Sequence, residues 1–316
     1  MKELDSKLVQ RINEIYHDLE NVAYDERHRY MLKLEEAFWV NMAEKYLVRK
    51  ESVACIDYGT GTGFVAAVIA PYLKKQDSLI CCDVSGEMLK VCEKNLGEKS
   101  LACKCSFRKI DGPDIPFPDK SLDVIMVNSV LHHIFDISHF SQECERTLKP
   151  GGILSVAHEP NKNSTMQFPG NFVSGLAKLL LGPQFVFFRA GERIPLLEKI
   201  VRPILSKISK GYRCRNAMLS KIAEQLTKEK LLDFELRGTE IQQVVDFHSQ
   251  FGFDARELFE EVFRGFVCVE FETYNHLGFF AEGKLASAIQ RYLRDRWPDA
   301  GREMRFVLRH TLCEPS

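Results

Sequence analysis

Three glycines and two acids make up the part of this sequence best suited to hold a ligand. Gly59, Gly61 and Gly63 occupy alternate positions after a short apolar run that ends in Asp57. Glycine lets the backbone turn tightly and approach a ligand, and the helix pattern that follows offers free N–H groups. A second apolar run ends in Asp83, where a carboxylate can accept hydrogen bonds from both hydroxyls of a ribose. The pattern predicts a strand, turn, helix and strand that bind a nucleoside.

The residue after the third glycine limits the kind of nucleoside ligand that we expect the turn to bind. A dinucleotide fingerprint needs glycine at position 64, where this chain has Phe64. With Gly63 as the last glycine, the turn suits a ligand that has no pyrophosphate. We therefore do not expect a nicotinamide-dependent dehydrogenase.

Two further polar pairs follow predicted strands. Asp111 and Gly112 end the third strand, where a carboxylate and a backbone N–H can read an adenine edge, and Asn128 and Ser129 end the fourth. Ligands of open α/β sheets bind at the carboxyl ends of the strands. We expect all these groups to line one site.

Together these motifs resemble the class I S-adenosylmethionine-dependent methyltransferases, with a methyltransferase-11/25-like core, over roughly residues 50–160. The glycine motif is 57–63, and the adenine-side motif with its Pro-Phe loop is 111–119. Segments 131–134 and 148–152 match the regions around strands four and five. The resemblance is specific for fold and cofactor and says little about the substrate.

The resemblance implies S-adenosyl-L-methionine as cofactor and S-adenosyl-L-homocysteine as its product. The cofactor's sulfonium is cationic, and a carboxylate near it supplies negative potential. The residues implied at the cofactor are Asp57, Tyr58, Gly59, Gly61, Thr62 and Gly63 in the motif at the methionine end, Asp83 at the ribose, Val84 and Met88 at the adenine face, Asp111 and Gly112 at the adenine edge, and Asn128 through its backbone or side chain.

Five residues are candidates for catalysis. His132 and His133 follow strand four, where an imidazole suits a general base, although either ring can instead pack at the strand end. Glu159 ends strand five and is a second candidate base, with a loop salt bridge as its alternative. His132 stands in the place of a catalytic histidine in the similar phosphoethanolamine methyltransferases, where a tyrosine of the N-terminal helices closes over it. Tyr16 and Tyr24 are the candidates for that tyrosine.

From residue 51 onward, predicted strands and helices alternate, which is typical of a doubly wound parallel sheet. The resemblance implies an α/β, Rossmann-like, seven-stranded sheet that is mostly parallel with an antiparallel final strand, plus N-terminal helices and a helical lid insertion. The predicted divisions are an N-terminal helical cap at 1–50, the cofactor-binding core at 51–160, a helical lid at 161–263 between strands five and six, and the last two strands at 264–316.

The composition limits the setting of the protein. Apolar residues make up 45% of the 316 residues and charged residues 28%, with a net charge of -1, so we expect no nucleic-acid partner. The ten cysteines lack zinc spacing, so we expect buried thiols and no metal. Buried thiols, a charged N-terminus and the lack of an apolar run of roughly 18 residues predict a cytoplasmic protein.

We expect a methyltransferase whose acceptor is a small or medium, partly hydrophobic metabolite or natural product bound beneath the lid. An alternative is a lipid or quinone-like acceptor at a membrane surface, because the segment 196–215 is rich in basic residues. A second alternative is a partner subunit that binds the cofactor without catalysis. The acceptor atom (oxygen, nitrogen, carbon or sulfur) and the oligomeric state stay open.

Overall fold

The computed structural model describes most of the chain. The described residues are 6–21, 24–48, 52–165, 210–231, 241, 244–245, 248, 252–277 and 284–311. Most of the predicted lid, and the basic segment as far as residue 209, lie outside these ranges.

Fifteen helices and strands are described, joined by short turns. In chain order they are α1 (Ser6–Glu20), α2 (Tyr24–Tyr46), β1 (Ala54–Tyr58), α3 (Phe64–Ile69), β2 (Ser78–Asp83), α4 (Gly86–Gly97), β3 (Lys104–Lys109), β4 (Leu122–Asn128), α5 (Ile137–Thr147), β5 (Leu148–Pro160), α6 (Lys210–Lys228), α7 (Ala255–Glu257), β6 (Phe266–Tyr274), α8 (Lys284–Arg296) and β7 (Glu303–His310). The turns are 3₁₀ turns at Ala70–Tyr72, Leu131–His133, Lys162–Thr165 and Pro298–Ala300, and a π turn at Leu258–Val262.

The strands form one seven-stranded sheet in the order β3-β2-β1-β4-β5-β7-β6. β1 runs parallel to β2 and β4, and β3 and β5 continue the parallel pairing outward, whereas β7 lies antiparallel between β5 and β6. The register sets Tyr58 of β1 opposite Cys82 and Val127, so the carboxyl ends of β1, β2 and β4 meet at one edge. The predicted seven-stranded, mostly parallel sheet with its antiparallel final strand is confirmed.

The central strands are apolar because helices cover both faces of the sheet. Alternate residues of β4 point to opposite sides: Ile125 belongs to the same buried cluster as Phe140 of α5. Met126 belongs to the cluster that contains Trp39 of α2 and Val65 of α3. α2 is thus part of the core that supports the sheet.

The chain divides into two compact units. The first consists of residues 1–160, 243–271 and 304–316, and the second of 161–242 and 272–303. Within the second unit, α8 buries Ala286 and Leu293 in one apolar cluster with Leu277. α6 separately buries residues at helical spacing, namely Met218, Leu219, Ile222 and Leu226.

All the cysteines with described positions are free thiols. Six of them are buried: Cys55, Cys81, Cys82, Cys92, Cys103 and Cys144. In the described part of the chain, no group of three or more His, Cys, Asp or Glu residues could hold a metal ion. No described helix has the length and apolar character to cross a bilayer.

Candidate cofactor and active site

A cavity lies within the first unit, at the carboxyl ends of β1, β2 and β4, and its empty space amounts to about 850 Å³, including the part open to solvent. One wall consists of residues at the strand ends and the other of one face of α1.

The glycine turn forms the floor of this cavity through Gly59 and Gly61. Both have positive φ, at 71° and 53°, and Gly63 follows at 90°, a conformation that favours glycine. A Cβ at Gly59 would lie 2.3 Å from Val130, and one at Gly63 would lie 2.7 Å from the sulfur of Cys92. Backbone conformation and close packing therefore both require glycine here.

The turn uses most of its own N–H groups. Those of Gly59 and Thr60 both donate to the carbonyl of Cys82 at 2.8 Å, and that of Gly63 donates to the carbonyl of Thr60 at 2.9 Å. The N–H of Gly61 donates to Oδ2 of Asp83 at 2.8 Å. The turn is thus held in shape by internal hydrogen bonds, which leaves few of its donors for a ligand.

Asp57 is buried behind the turn. Its Oδ2 accepts hydrogen bonds from the Thr60 hydroxyl at 2.7 Å and the Ala66 N–H at 3.1 Å, whereas its Oδ1 has no hydrogen-bond partner. Burial raises the pKa of Asp57 to about 7, because the charged form is poorly solvated. A buried carboxylate with a free oxygen suits a site that receives a cationic group.

Asp83 lines the cavity with a carboxylate fixed by the backbone. Its Oδ1 accepts from the Ser85 N–H and its Oδ2 from the Gly61 N–H, each at 2.8 Å. Burial raises the pKa of Asp83, and the nearby His17 opposes that rise. Each carboxylate oxygen can accept a second hydrogen bond, so the group keeps capacity for a diol.

An apolar wall continues beyond Asp83. Val84, Met88, Ile110 and Pro113 line it. The Ser85 hydroxyl oxygen caps α4 by accepting from the Met88 N–H at 3.0 Å, which fixes Met88 in the wall. Such a surface suits the flat face of a purine.

Gly112 closes this end of the cavity. Its φ is 82°, a Cβ there would lie 2.8 Å from the side-chain oxygen of Gln10, and its carbonyl accepts from the Tyr58 hydroxyl at 2.7 Å. Its neighbour Asp111 is exposed, and its side chain does not line the cavity.

The structure brings most of the predicted cofactor residues to the cavity wall. Those that line it are Tyr58, Gly59, Gly61, Asp83, Val84, Met88, Gly112 and Asn128. Four do not: Asp57 and Gly63 support the turn from behind, Asp111 faces solvent, and the Thr62 hydroxyl donates to Asp25 at 2.6 Å.

Glu159 caps the turn after β4. Its Oε1 accepts from the N–H groups of Val130 and Leu131, at 2.9 and 2.8 Å, and its Oε2 accepts from the N–H of His132 at 3.1 Å. Nδ1 of His132 lies 2.8 Å from the same Oε2. Glu159 is fully buried, and neither it nor His132 lines the cavity. The pair therefore holds the turn after β4 together, and neither residue is among those that line the cavity.

His133 is the candidate base that reaches the cavity. Its Nδ1 lies 2.5 Å from the carbonyl of Val245, and because a carbonyl can only accept, Nδ1 carries the proton and Nε2 keeps a lone pair. Burial and the neighbouring rings of His132 and His17 lower the pKa of His133 well below its ordinary range. The imidazole is therefore neutral near pH 7.

The two candidate tyrosines differ in position. Tyr24 lines the cavity, and burial together with Glu20 and Asp83 raises its pKa above the ordinary range. Tyr16 does not line the cavity and packs edge-on against His17, with ring centroids 5.3 Å apart.

Sequence reasoning missed the polar face of α1. Ser6, Gln10, Asn13 and His17 line the cavity, and the His17 ring meets His133 edge-on with centroids 5.2 Å apart. Their spacing of three or four residues marks one face of a helix. That spacing was the available signal, because polar residues on a helix face that is otherwise buried need partners or a ligand.

The segment from residue 56 to 156 matches the methyltransferase-11 family model, described as Methyltransferase domain. The ubiquinone/menaquinone biosynthesis C-methyltransferase UbiE of Geotalea daltonii is 30% identical over 152 residues, which is 48% of this chain and 65% of that protein. The demethylmenaquinone methyltransferase of Tropheryma whipplei is 29% identical over 163 residues, 50% of this chain and 61% of the relative. The crystal structure of a SAM dependent methyltransferase from Aquifex aeolicus overlaps with a TM-score of 0.36 at 22% identity, covering 39% of this chain and 64% of that one.

The chain thus aligns with less than two thirds of each curated relative. The structural overlap is too low to establish a shared fold, which follows here from the strand order. The family match runs from β1 into β5, the elements that form the floor and strand-end wall of the cavity. Residues 56–156 therefore match a methyltransferase domain, in agreement with the predicted resemblance to the class I S-adenosylmethionine-dependent methyltransferases.

Proposed function

We propose that this protein transfers a methyl group from S-adenosylmethionine to a small or medium, partly hydrophobic acceptor. One observation carries the proposal. A single cavity joins the backbone-anchored carboxylate of Asp83, the glycine turn and the neutral imidazole of His133.

Each part of the cavity has a function in this proposal. Asp83 accepts hydrogen bonds from the ribose, and Val84 and Met88 contact the adenine. Asp57 supplies negative potential from behind the turn, and its free Oδ1 supports this assignment. When bound, S-adenosylmethionine supplies an electrophilic methyl group on a cationic sulfur.

His133 serves as the proton acceptor. Its neutral ring presents Nε2 as the basic atom, and the Val245 carbonyl holds the tautomer and the ring orientation. A hydroxyl or an acidic carbon on the acceptor would lose its proton to Nε2. The low pKa makes His133 a weak base, which suits an acceptor that is itself somewhat acidic, such as a phenol.

The charge of the cavity wall supports a neutral acceptor. Among the described residues, no lysine or arginine lines the cavity, whereas Asp83 and Asp136 do. A phosphate or carboxylate on the acceptor would find no lysine or arginine there among the described residues. The apolar side chains of Val9, Val130 and Phe135 suit an aromatic or aliphatic ring instead.

A quinone-like acceptor is the second candidate. Two relatives are named as methyltransferases of ubiquinone or menaquinone biosynthesis, and the apolar wall is compatible with such a ring. The domain divisions at 50, 160 and 263, the cytoplasmic location and the membrane role of residues 196–215 stay predictions.

Calorimetry tests the cofactor with S-adenosylmethionine, S-adenosylhomocysteine and NAD as ligands. A transfer assay with a labelled methyl group tests the acceptor, and it compares a hydroquinone, a naphthol, an aliphatic amine and a carboxylic acid. We expect tight binding of the first two ligands and transfer to the phenolic acceptors. Binding of NAD alone would refute the proposal. Cofactor binding without transfer to any acceptor would favour the catalytically silent partner.

A further inference from the structure

Trp39 of α2 makes a hydrogen bond to a residue of the cavity wall. The indole is fully buried, and its Nε1–H donates to Oδ1 of Asn128 at 3.0 Å. An indole N–H can only donate, so the atom that faces it must be the amide oxygen. The oxygen and nitrogen of an Asn side chain are otherwise hard to distinguish. Here the hydrogen bond from Trp39 assigns the oxygen of Asn128, and therefore also its nitrogen.

The consequence is that Asn128 offers donors to the cavity. Asn128 lines the cavity at the end of β4, and no described residue accepts a hydrogen bond from its Nδ2. Nδ2 is also not among the buried atoms that lack a partner, so it keeps accessible surface. Two N–H groups are therefore available to a ligand.

Few other donors near the turn are free. The N–H groups of Gly59, Thr60, Gly61 and Gly63 all bond within the protein. No described lysine or arginine lines the cavity. Beside the glycine turn, Asn128 therefore offers an anionic group two side-chain N–H groups that no described residue uses.

We propose that Trp39 is a positioning residue that fixes the Asn128 amide as the hydrogen-bond donor for the carboxylate of the cofactor's methionyl group. This inference rests on the proposed function. Without the indole N–H the amide is free to rotate, and its oxygen would then repel the carboxylate.

The test compares the affinities of S-adenosylhomocysteine and methylthioadenosine, since the second lacks the amino-acid group. Trp39→Phe keeps the packing and removes the N–H, and Asn128→Asp keeps an acceptor for Trp39 and removes the donors. We expect Trp39→Phe to weaken S-adenosylhomocysteine about two- to tenfold and Asn128→Asp by about tenfold or more. Methylthioadenosine should bind all the variants with equal affinity. Trp297→Phe is the matched control, because it makes the same substitution at the other tryptophan.

A second measurement uses fluorescence, because the chain has two tryptophans. In Trp297→Phe protein, Trp39 is the sole tryptophan, and S-adenosylhomocysteine should shift its emission through Asn128. Asn128→Asp in that background should abolish the shift at saturating ligand.

Three results would overturn the inference. One is an unchanged affinity of Asn128→Asp for S-adenosylhomocysteine. This result would count even if Trp39→Phe failed to fold, because it is measured on a different variant. Another is equal weakening of both ligands, which would indicate general damage. If the wild-type protein binds neither ligand, the proposed function fails, and the inference fails with it.

Discussion

Two carboxylates at adjacent strand ends show how neighbouring atoms assign different roles to the same residue type. Both carboxylate oxygens of Asp83 accept from backbone N–H groups, and the side chain still faces the cavity. Asp57 lies behind the turn with one oxygen unpaired, and its pKa is raised to about 7. We expect Asp83 to determine the affinity for the nucleoside. We expect Asp57 to make the stability of the folded protein depend on pH.

Stability should depend on pH through Asp57. Its pKa is about 7 in the folded protein, against an ordinary 3.8, so between these values the folded state holds a proton that the unfolded state has lost. This group's contribution therefore falls as pH rises through that window and is lost above about pH 7. Relative to Asp57→Asn, which cannot titrate, wild-type stability should fall by on the order of 2 kcal/mol from pH 5 to pH 7.

Urea unfolding of the two ligand-free proteins at pH 5, 6, 7 and 8 measures this difference. Titrating groups that do not interact with Asp57 are common to both proteins and cancel, whereas Asp83, which helps to raise the pKa of Asp57, contributes to the difference. A difference that stays constant across the series would show that Asp57 is ionised throughout.

Asp83→Ala should weaken S-adenosylhomocysteine by roughly 1.5–3 kcal/mol, because a charged acceptor of hydrogen bonds is lost. Calorimetry gives the dissociation constants. Asp111→Ala is the comparison, since Asp83 ends β2, Asp111 follows the neighbouring β3, and only Asp83 lines the cavity. We expect near-wild-type affinity for Asp111→Ala. A loss of affinity as large as that of Asp83→Ala would show that Asp111 contacts the ligand, as the sequence predicted.

At the scale of elements, the 3₁₀ turn after β4 separates two adjacent histidines. Glu159 holds the backbone of this turn and Nδ1 of His132, and this anchoring leaves His133 at the cavity. α1 closes the opposite side with its polar face. Neither element makes the cavity alone, so the shape of the cavity depends on how α1 packs over the strand ends.

His133→Gln should lower kcat by about 100-fold or more while leaving the affinity for S-adenosylhomocysteine unchanged, because a general base contributes about 10²–10⁴ in rate. His132→Gln should instead lower the free energy of unfolding by about 1–3 kcal/mol, since the buried Glu159 loses a charge-assisted partner. Single-turnover kinetics and urea unfolding on both variants separate the two effects. The opposite pattern, with turnover lost only in His132→Gln, would make His132 the base.

At the scale of the molecule, the sheet order decides where ligands bind. β1 lies between β2 and β4, so the glycine turn, Asp83 and Asn128 converge although they are distant in sequence. A ligand that binds only the folded state must stabilise it.

S-adenosylhomocysteine at 100 times its dissociation constant should therefore raise the free energy of unfolding by about 2.7 kcal/mol. NAD at the same concentration should have no effect, because Phe64 occupies the position of the third dinucleotide glycine. Thermal unfolding followed by circular dichroism gives both values. If NAD stabilised the protein as much as S-adenosylhomocysteine does, Phe64 would not prevent the binding of a dinucleotide.

The class of fold and the floor of the site could be predicted from local sequence. Alternating apolar runs and glycines at fixed spacing are local properties, and the positive φ of Gly59, Gly61 and Gly63 agrees with them. The choice between His132 and His133 needed the folded protein, because the two share a sequence context and differ in what lies beside each ring. Folding also turned Asp111 to solvent and brought His17 and Trp39 to the site. These outcomes depend on packing between elements far apart in the chain, which spacing along the sequence does not encode.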